Sequence, residues 1–290
     1  MKRVLILLVL AALVTGLCGC TTTEYPATVT ATTLPVYEFT VRLCNGTDIH
    51  VSRLITENLS CLHDYTLQVS QMKAVEKADA VIISGAGLES FMDDVLINKN
   101  IIDASAGITL DCEHDHAQSH EGHHHEEDPH IWLSPKNASV MAGNICAGLS
   151  LQYPQHTALF EKNLSLLQND LVKLQSYGEE SLSSLSCRQL LTFHDGFGYL
   201  AQAFDLHILH SIEEESGREA SAAELTELSR LVTTNDLPAI FTERNGSVSA
   251  AEIISRETGT PIFQLDMAMG TTGYFDAMYH NIDTLKEALE

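Results

Sequence analysis

ADAVIIS at residues 78–84, followed by Gly85-Ala86-Gly87, is a short apolar run that reads as a buried strand closed by a turn. Outward from it, residues 29–33 alternate like a strand and residues 101–105 form a third. Helical patterns lie between, at 68–77 and 88–97. In the second half, 189–193, 207–212, 239–242 and 262–265 are strand-like, and helices follow, including 222–234, 249–257 and 274–288. Gly259 then Pro261 ends one helix and opens the next strand. Strands alternating with helices predict parallel sheets. The fold class is therefore α/β, with a small doubly wound lobe in each half.

Between the halves, Leu159, Phe160, Leu164, Leu167, Leu171, Leu174 and Tyr177 recur in steps of three and four. The spacing predicts one amphipathic helix over 154–181, roughly 40 Å long, that joins the lobes rigidly. The alternative is two shorter helices with a break near Gly178. The expected organisation is a signal segment at 1–19, a Thr-rich tether at 20–28, a first lobe at 29–153, a connecting helix at 154–182 and a second lobe at 183–290.

The 290 residues carry 39 Asp+Glu against 16 Lys+Arg, a net charge of −23. That balance excludes nucleic acid as the default partner, because phosphate binding needs a basic face, and it favours attraction of cations. At the N-terminus, Lys2-Arg3 precedes an apolar run of eleven residues, 4–14, too short to span a bilayer. The run ends in Leu17-Cys18-Gly19-Cys20, which resembles a lipobox; cleavage there would leave Cys20 as a lipid-bearing N-terminus. A plain secretory signal is the alternative. Five cysteines follow (Cys44, Cys61, Cys112, Cys146, Cys187), so at least one thiol stays free, and no CxxC pair offers a cysteine-built zinc cage. Cys44 and Cys61 could pair; most of the five read as small buried side chains.

Residues 111–130 read DCEHDHAQSHEGHHHEEDPH, with seven acids and no Lys or Arg. His114, His116, His120, His123, His124 and His125 make this a loop for weak, multiple metal binding, since neutral imidazole suits zinc, copper and nickel. The alternative is a solvated insertion without function. Three further histidines stand in marked contexts: His63 in Cys61-Leu62-His63-Asp64-Tyr65, His130 in Asp128-Pro129-His130-Ile131-Trp132-Leu133-Ser134-Pro135, and His194 in Phe193-His194-Asp195 at a strand end. Each alone is more often structural than a ligand. The intervals from His63 to His130, His194 and Asp266 are 67, 64 and 72 residues, too long for a local motif. Open parallel sheets nevertheless bind ligands beyond the carboxyl ends of their strands. His194 and Asp266, each ending a strand, would reach such a crevice.

At these residues the chain resembles the zinc and manganese solute-binding proteins of bacterial ABC transporters (ZnuA/TroA-like). His63-Asp64-Tyr65 resembles a first ligand motif with Leu62 in place of Pro. Residues 77–89 are similar to the next segment, residues 128–135 to the most specific one, and Phe193-His194-Asp195 to the third. Glu243, Glu257-Thr258-Gly259 and Leu265-Asp266 follow the C-terminal pattern. The resemblance implies two α/β lobes joined by one long helix, with the metal in the cleft on His63, His130 and His194. It implies a monomeric extracytoplasmic receptor, lipid-anchored at Cys20, that delivers Zn²⁺ to a membrane permease driven by an ATPase. His194 stands where manganese members commonly carry a carboxylate, and three imidazoles favour zinc over manganese. Some zinc members place a Glu where this chain has Met269, which leaves the fourth ligand between Asp266, Glu243 and water. A manganese receptor of the same type is one alternative. A zinc hydrolase, using Asp64, Asp195 or Glu243 as base, is another, although no HExxH cluster occurs. A metal-binding surface adhesin is a third.

Overall fold

The computed structural model of the protein describes residues 27–57, 62, 65–110, 128–212 and 220–290. The signal segment, Cys20, most of the tether, Cys61, His63, Asp64, Cys112 and the six loop histidines from His114 to His125 lie outside the described residues.

Each half builds one four-stranded parallel sheet. In the first, β1 (Thr28–Ala31) lies between β2 (His50–Arg53) and β3 (Ala80–Ile83), and β4 (Ile101–Asp103) closes the edge. Registers are Thr28 with His50, Val29 with Ala80 and Val81 with Ile101. In the second, β5 (Gln189–Thr192) lies between β6 (His207–Ser211) and β7 (Ile240–Glu243), with β8 (Ile262–Leu265) outermost. The two sheets thus share one strand order, and parallel pairing forces a crossover between successive strands. Helices α1 (Leu34–Leu43), α2 (Val69–Lys77), the short α3 (Asp93–Leu96) and α4 (Pro135–Gln152) serve the first sheet. The second carries α6 (Gly198–Ala203), α7 (Ala222–Thr234), α8 (Ser249–Thr258) and α9 (Tyr274–Leu289). The α/β reading with two parallel sheets therefore holds. The expected helix over 88–97 is a 3₁₀ turn, Ser90–Met92, followed by the single turn of α3.

The long connecting helix is α5 (Thr157–Ser181), about 37 Å long at 1.5 Å per residue. Residues 154–156 form a separate 3₁₀ turn before it. The helix touches both lobes. Asn163 Nδ2 donates to the carbonyls of Leu43 (2.8 Å) and Asn45 (2.9 Å), capping the end of α1. Arg42 on α1 pairs with Asp170. Near the other end, Tyr177 Oη donates to Asp283 on α9 at 2.5 Å, and its ring stands edge-on to Tyr279. No break occurs at Gly178. A Cβ there would lie 2.2 Å from the ring of Phe204, which is itself buried, so glycine serves the close approach of that ring.

One hydrophobic core runs from the first sheet through α5 into the second lobe, and includes Trp132, Leu171, Phe197 and Tyr274. A smaller core of Leu191, Phe193, Leu228, Val232 and Ile254 lies beneath α7 and α8. Cys44 and Cys146 are buried free thiols, and Cys187 is half-buried and free; the possible Cys44–Cys61 bridge involves Cys61, which lies outside the described residues. Among the described residues, no helix is long and apolar enough to cross a membrane.

Alanine normally stabilises a helix by about 1 kcal/mol relative to glycine. For Gly178→Ala we expect the opposite sign, a loss of about 1–3 kcal/mol from overpacking against Phe204. Denaturant unfolding measures it, and a gain in stability would contradict the packing described here.

Candidate metal centre

The carboxyl ends of the two sheets face one another. After β1 and β3 the first lobe is locked by Glu89. Its carboxylate accepts from Thr32 Oγ1 (2.6 Å) and from the amides of Ser84 (2.7 Å) and Gly85 (3.0 Å). Burial pushes this carboxyl up to about 7, against the lowering effect of those hydrogen bonds. At the end of β2, Arg53 reaches the other lobe and donates to the carbonyls of Met269 (2.6 Å) and Gly270 (2.9 Å). Glu38 on α1 accepts from Tyr274 N at 2.9 Å, and Phe39 packs edge-on to the Tyr274 ring. Burial raises the Glu38 carboxyl and lowers the Arg53 guanidinium.

Between these ties, His130 and His194 meet. Their Nε2 atoms are 3.5 Å apart, and the rings stand nearly perpendicular at 5.1 Å between centroids. Two ligands of one tetrahedral zinc, with Zn–N of about 2.0–2.1 Å, would lie about 3.3 Å apart. The separation suits two imidazoles sharing an ion.

His130 is fixed before any ion arrives. Asp128 Oδ1 accepts from its backbone N (2.9 Å) and lies 2.7 Å from its Nδ1. A carboxylate on Nδ1 holds the proton there and leaves the Nε2 lone pair for a cation. The residue is buried, at 3% exposure. Directly after it, Ile131–Leu133 form a 3₁₀ turn, and Ser134 with Pro135 starts α4: Ser134 Oγ accepts from Asn137 N, and proline takes the first helical position. Trp132 extends from that turn into the second lobe. Its Nε1 donates to Met267 O at 2.8 Å, and its carbonyl accepts from Tyr274 Oη at 2.8 Å.

His194 follows β5 and is half-buried. A Cβ on Gly196 would lie 2.6 Å from Met267 Cε and 2.8 Å from His194 Nε2. Glycine is therefore required where the imidazole and the β8 loop close on each other. Asp195 turns away and accepts from Ser211 Oγ on β6 at 2.8 Å.

Asp266, directly after β8, is 4% exposed and engaged within its own lobe. Asn281 Oδ1 accepts from its N, and Asn281 Nδ2 donates to its O, both at 2.7 Å. Its Oδ1 accepts from Ala268 N (2.8 Å), with Ala268 in the left-handed region at φ 55°. Its Oδ2 accepts from Arg244 Nη1 at 3.2 Å. Among the described residues, no three His, Cys, Asp or Glu side chains gather as a metal-holding group. His130 and His194 are thus brought together, while Asp266 is paired with Arg244. Glu243, the other carboxylate candidate, is buried at the end of β7 against Gly246. Sequence reasoning did not find Arg53, Asn281 or Tyr274, because each acts on a residue far along the chain.

The sequence model of the family described as zinc-uptake complex component A, periplasmic (ZnuA) matches residues 29–288. The zinc-binding lipoprotein AdcA of Streptococcus pneumoniae is 30% identical over 280 residues, covering 90% of this chain and 56% of AdcA, so the chain spans little more than half of that relative. A putative metal-binding protein of Treponema pallidum is 27% identical over 85% of this chain and 82% of its own. The crystal structure of the Zn(II)-bound ZnuA-like domain of Streptococcus pneumoniae AdcA superposes with a TM-score of 0.77 at 27% identity, covering 91% of this chain and 99% of that one. With its family match running from the first strand to the last helix, this chain belongs to the ZnuA family.

Proposed function

We propose that this protein is an extracytoplasmic receptor that captures Zn²⁺ in the crevice between its lobes and hands it to an ABC-transporter permease driven by a cytoplasmic ATPase. The 3.5 Å approach of the His130 and His194 Nε2 atoms, one from each lobe, carries the reading. Two neutral imidazoles from opposite lobes make ion binding a bond between lobes, which is how cargo could set the shape presented to a permease. The names of the AdcA relatives support zinc as the cargo.

His63 is the proposed third ligand and Asp266 the fourth, a supporting one. Three imidazoles bring no charge to offset Zn²⁺, and zinc held by protein alone is almost always four-coordinate. Histidine binds zinc as neutral imidazole, so protons compete with the metal for the ring nitrogens and affinity falls on acidification. The acidic stretch with His114, His116, His120, His123, His124 and His125 is proposed to collect zinc weakly and raise its local concentration. The lobes are proposed to run over 29–153 and 183–290, and the receptor works as a monomer, anchored to the membrane by a lipid on Cys20. A receptor is favoured over a hydrolase because the family match and the zinc-binding names of the relatives point to metal binding and uptake.

Membrane fractionation tests the anchor: Cys20→Ala should release the protein from membranes, and unchanged retention would contradict a lipid on that residue. Zinc titration separates loop from cleft. Deleting residues 114–127 should remove weak equivalents and leave one tight site; loss of the tight site would make the loop the primary binder. Competition titrations rank the ligands. His63→Ala, His130→Ala and His194→Ala should each weaken zinc more than Asp266→Ala, for which a loss of about 10- to 100-fold is expected. A loss at Asp266→Ala exceeding every histidine variant would overturn the three-histidine assignment.

A further inference from the structure

Arg244 is the one cation beside the proposed ligands among the described residues whose place in the mechanism is still unassigned. It follows β7 directly, and its Nη1 reaches Asp266 Oδ2 at 3.2 Å and Thr272 Oγ1 at 3.5 Å. The groups that hold Asp266 differ in one respect. Asn281, which clamps its main chain on both sides, and Ala268, whose amide serves Oδ1, are fully buried. The Arg244 side chain is 47% exposed. The carboxylate is therefore fixed in place, and of its partners only the guanidinium can swing into water at little cost. Thr272 offers it a second contact on the way out.

We propose that Arg244 is a built-in competitor for the transported cation. In the metal-free protein its guanidinium neutralises Asp266 Oδ2. An incoming dication displaces it toward solvent and takes the carboxylate, and on release the guanidinium returns. The inference rests on the reading of the crevice as a zinc site with Asp266 as supporting ligand. A guanidinium keeps its charge at every physiological pH, so the competition is always present. Its effect is to weaken zinc binding and to speed zinc release, both useful to a receptor that must surrender its cargo.

The full-length protein, titrated with zinc against a chelator, tests this. Arg244→Gln removes the charge and should tighten zinc binding about three- to tenfold, the scale of a half-exposed ion pair. Zinc dissociation, followed by stopped flow into excess chelator, should slow by a similar factor. Arg244→Lys keeps the charge and should stay close to wild type. In an Asp266→Asn background, Arg244→Gln should bring no gain, because the competition acts through that carboxylate. Unchanged or weaker binding in Arg244→Gln, or an equal gain in the Asp266→Asn background, would overturn the proposal while leaving the zinc site standing. A wild-type protein that binds no zinc would overturn the metal-site reading itself.

Discussion

The hydrogen bond from Trp132 Nε1 to Met267 O ties the two lobes at the point where the site is built. Trp132 is fully buried and two residues from His130; Met267 is one residue from Asp266 and lies against the His194 loop. An indole N–H buried without a partner would cost about 1–3 kcal/mol, so the contact sets the register of one lobe against the other. Tyr274 reinforces it by donating to the Trp132 carbonyl and packing on Phe39. Through this cluster, two separate parallel sheets present their carboxyl ends to each other with imidazoles already within bridging distance.

Preorganisation of this kind explains the division of labour among the ties. Buried contacts (Trp132 to Met267, Tyr274 to Trp132, Asn281 to Asp266) fix backbone and are expensive to break. The partly exposed ones, Arg53 to Met269 and Gly270, and Arg244 to Asp266, are the ones that can exchange with water. A protein that both binds and surrenders an ion needs both sorts. The long helix α5 contacts α1 of one lobe and α9 of the other, so it ties the two lobes together away from the strand-end loops that carry His130 and His194.

Much of this was legible in the chain because short apolar runs bounded by glycine or polar turns mark buried parallel strands. Seven of the eight strands could be read that way. β2, His50-Val51-Ser52-Arg53, could not: it is a half-buried edge strand without alternation. Helix α4 escaped too, since its buried face mixes the small Ala138, Ala142 and Cys146 with the larger Met141, Ile145 and Leu149, which weakens the contrast of the stripe. Gly148 is needed there because a Cβ would lie 2.6 Å from Ile102. Gly178 suggested a break and instead makes room for Phe204. At the site, His130 and His194 could be singled out by their neighbours, yet the carboxylate assignment could not reveal Arg244. That pairing spans 22 residues between two strand ends, and only the assembled sheet brings it about.

The central claim is that one ion is held between the lobes by imidazoles from both. Crystals of the zinc-loaded protein, measured on both sides of the zinc absorption edge, test it directly. The account predicts one dominant anomalous peak about 2.0–2.1 Å from the Nε2 atoms of His130 and His194, with His63 completing the three nitrogens. A dominant peak on the 111–127 loop, or one that touches only one of the two lobes, would contradict it.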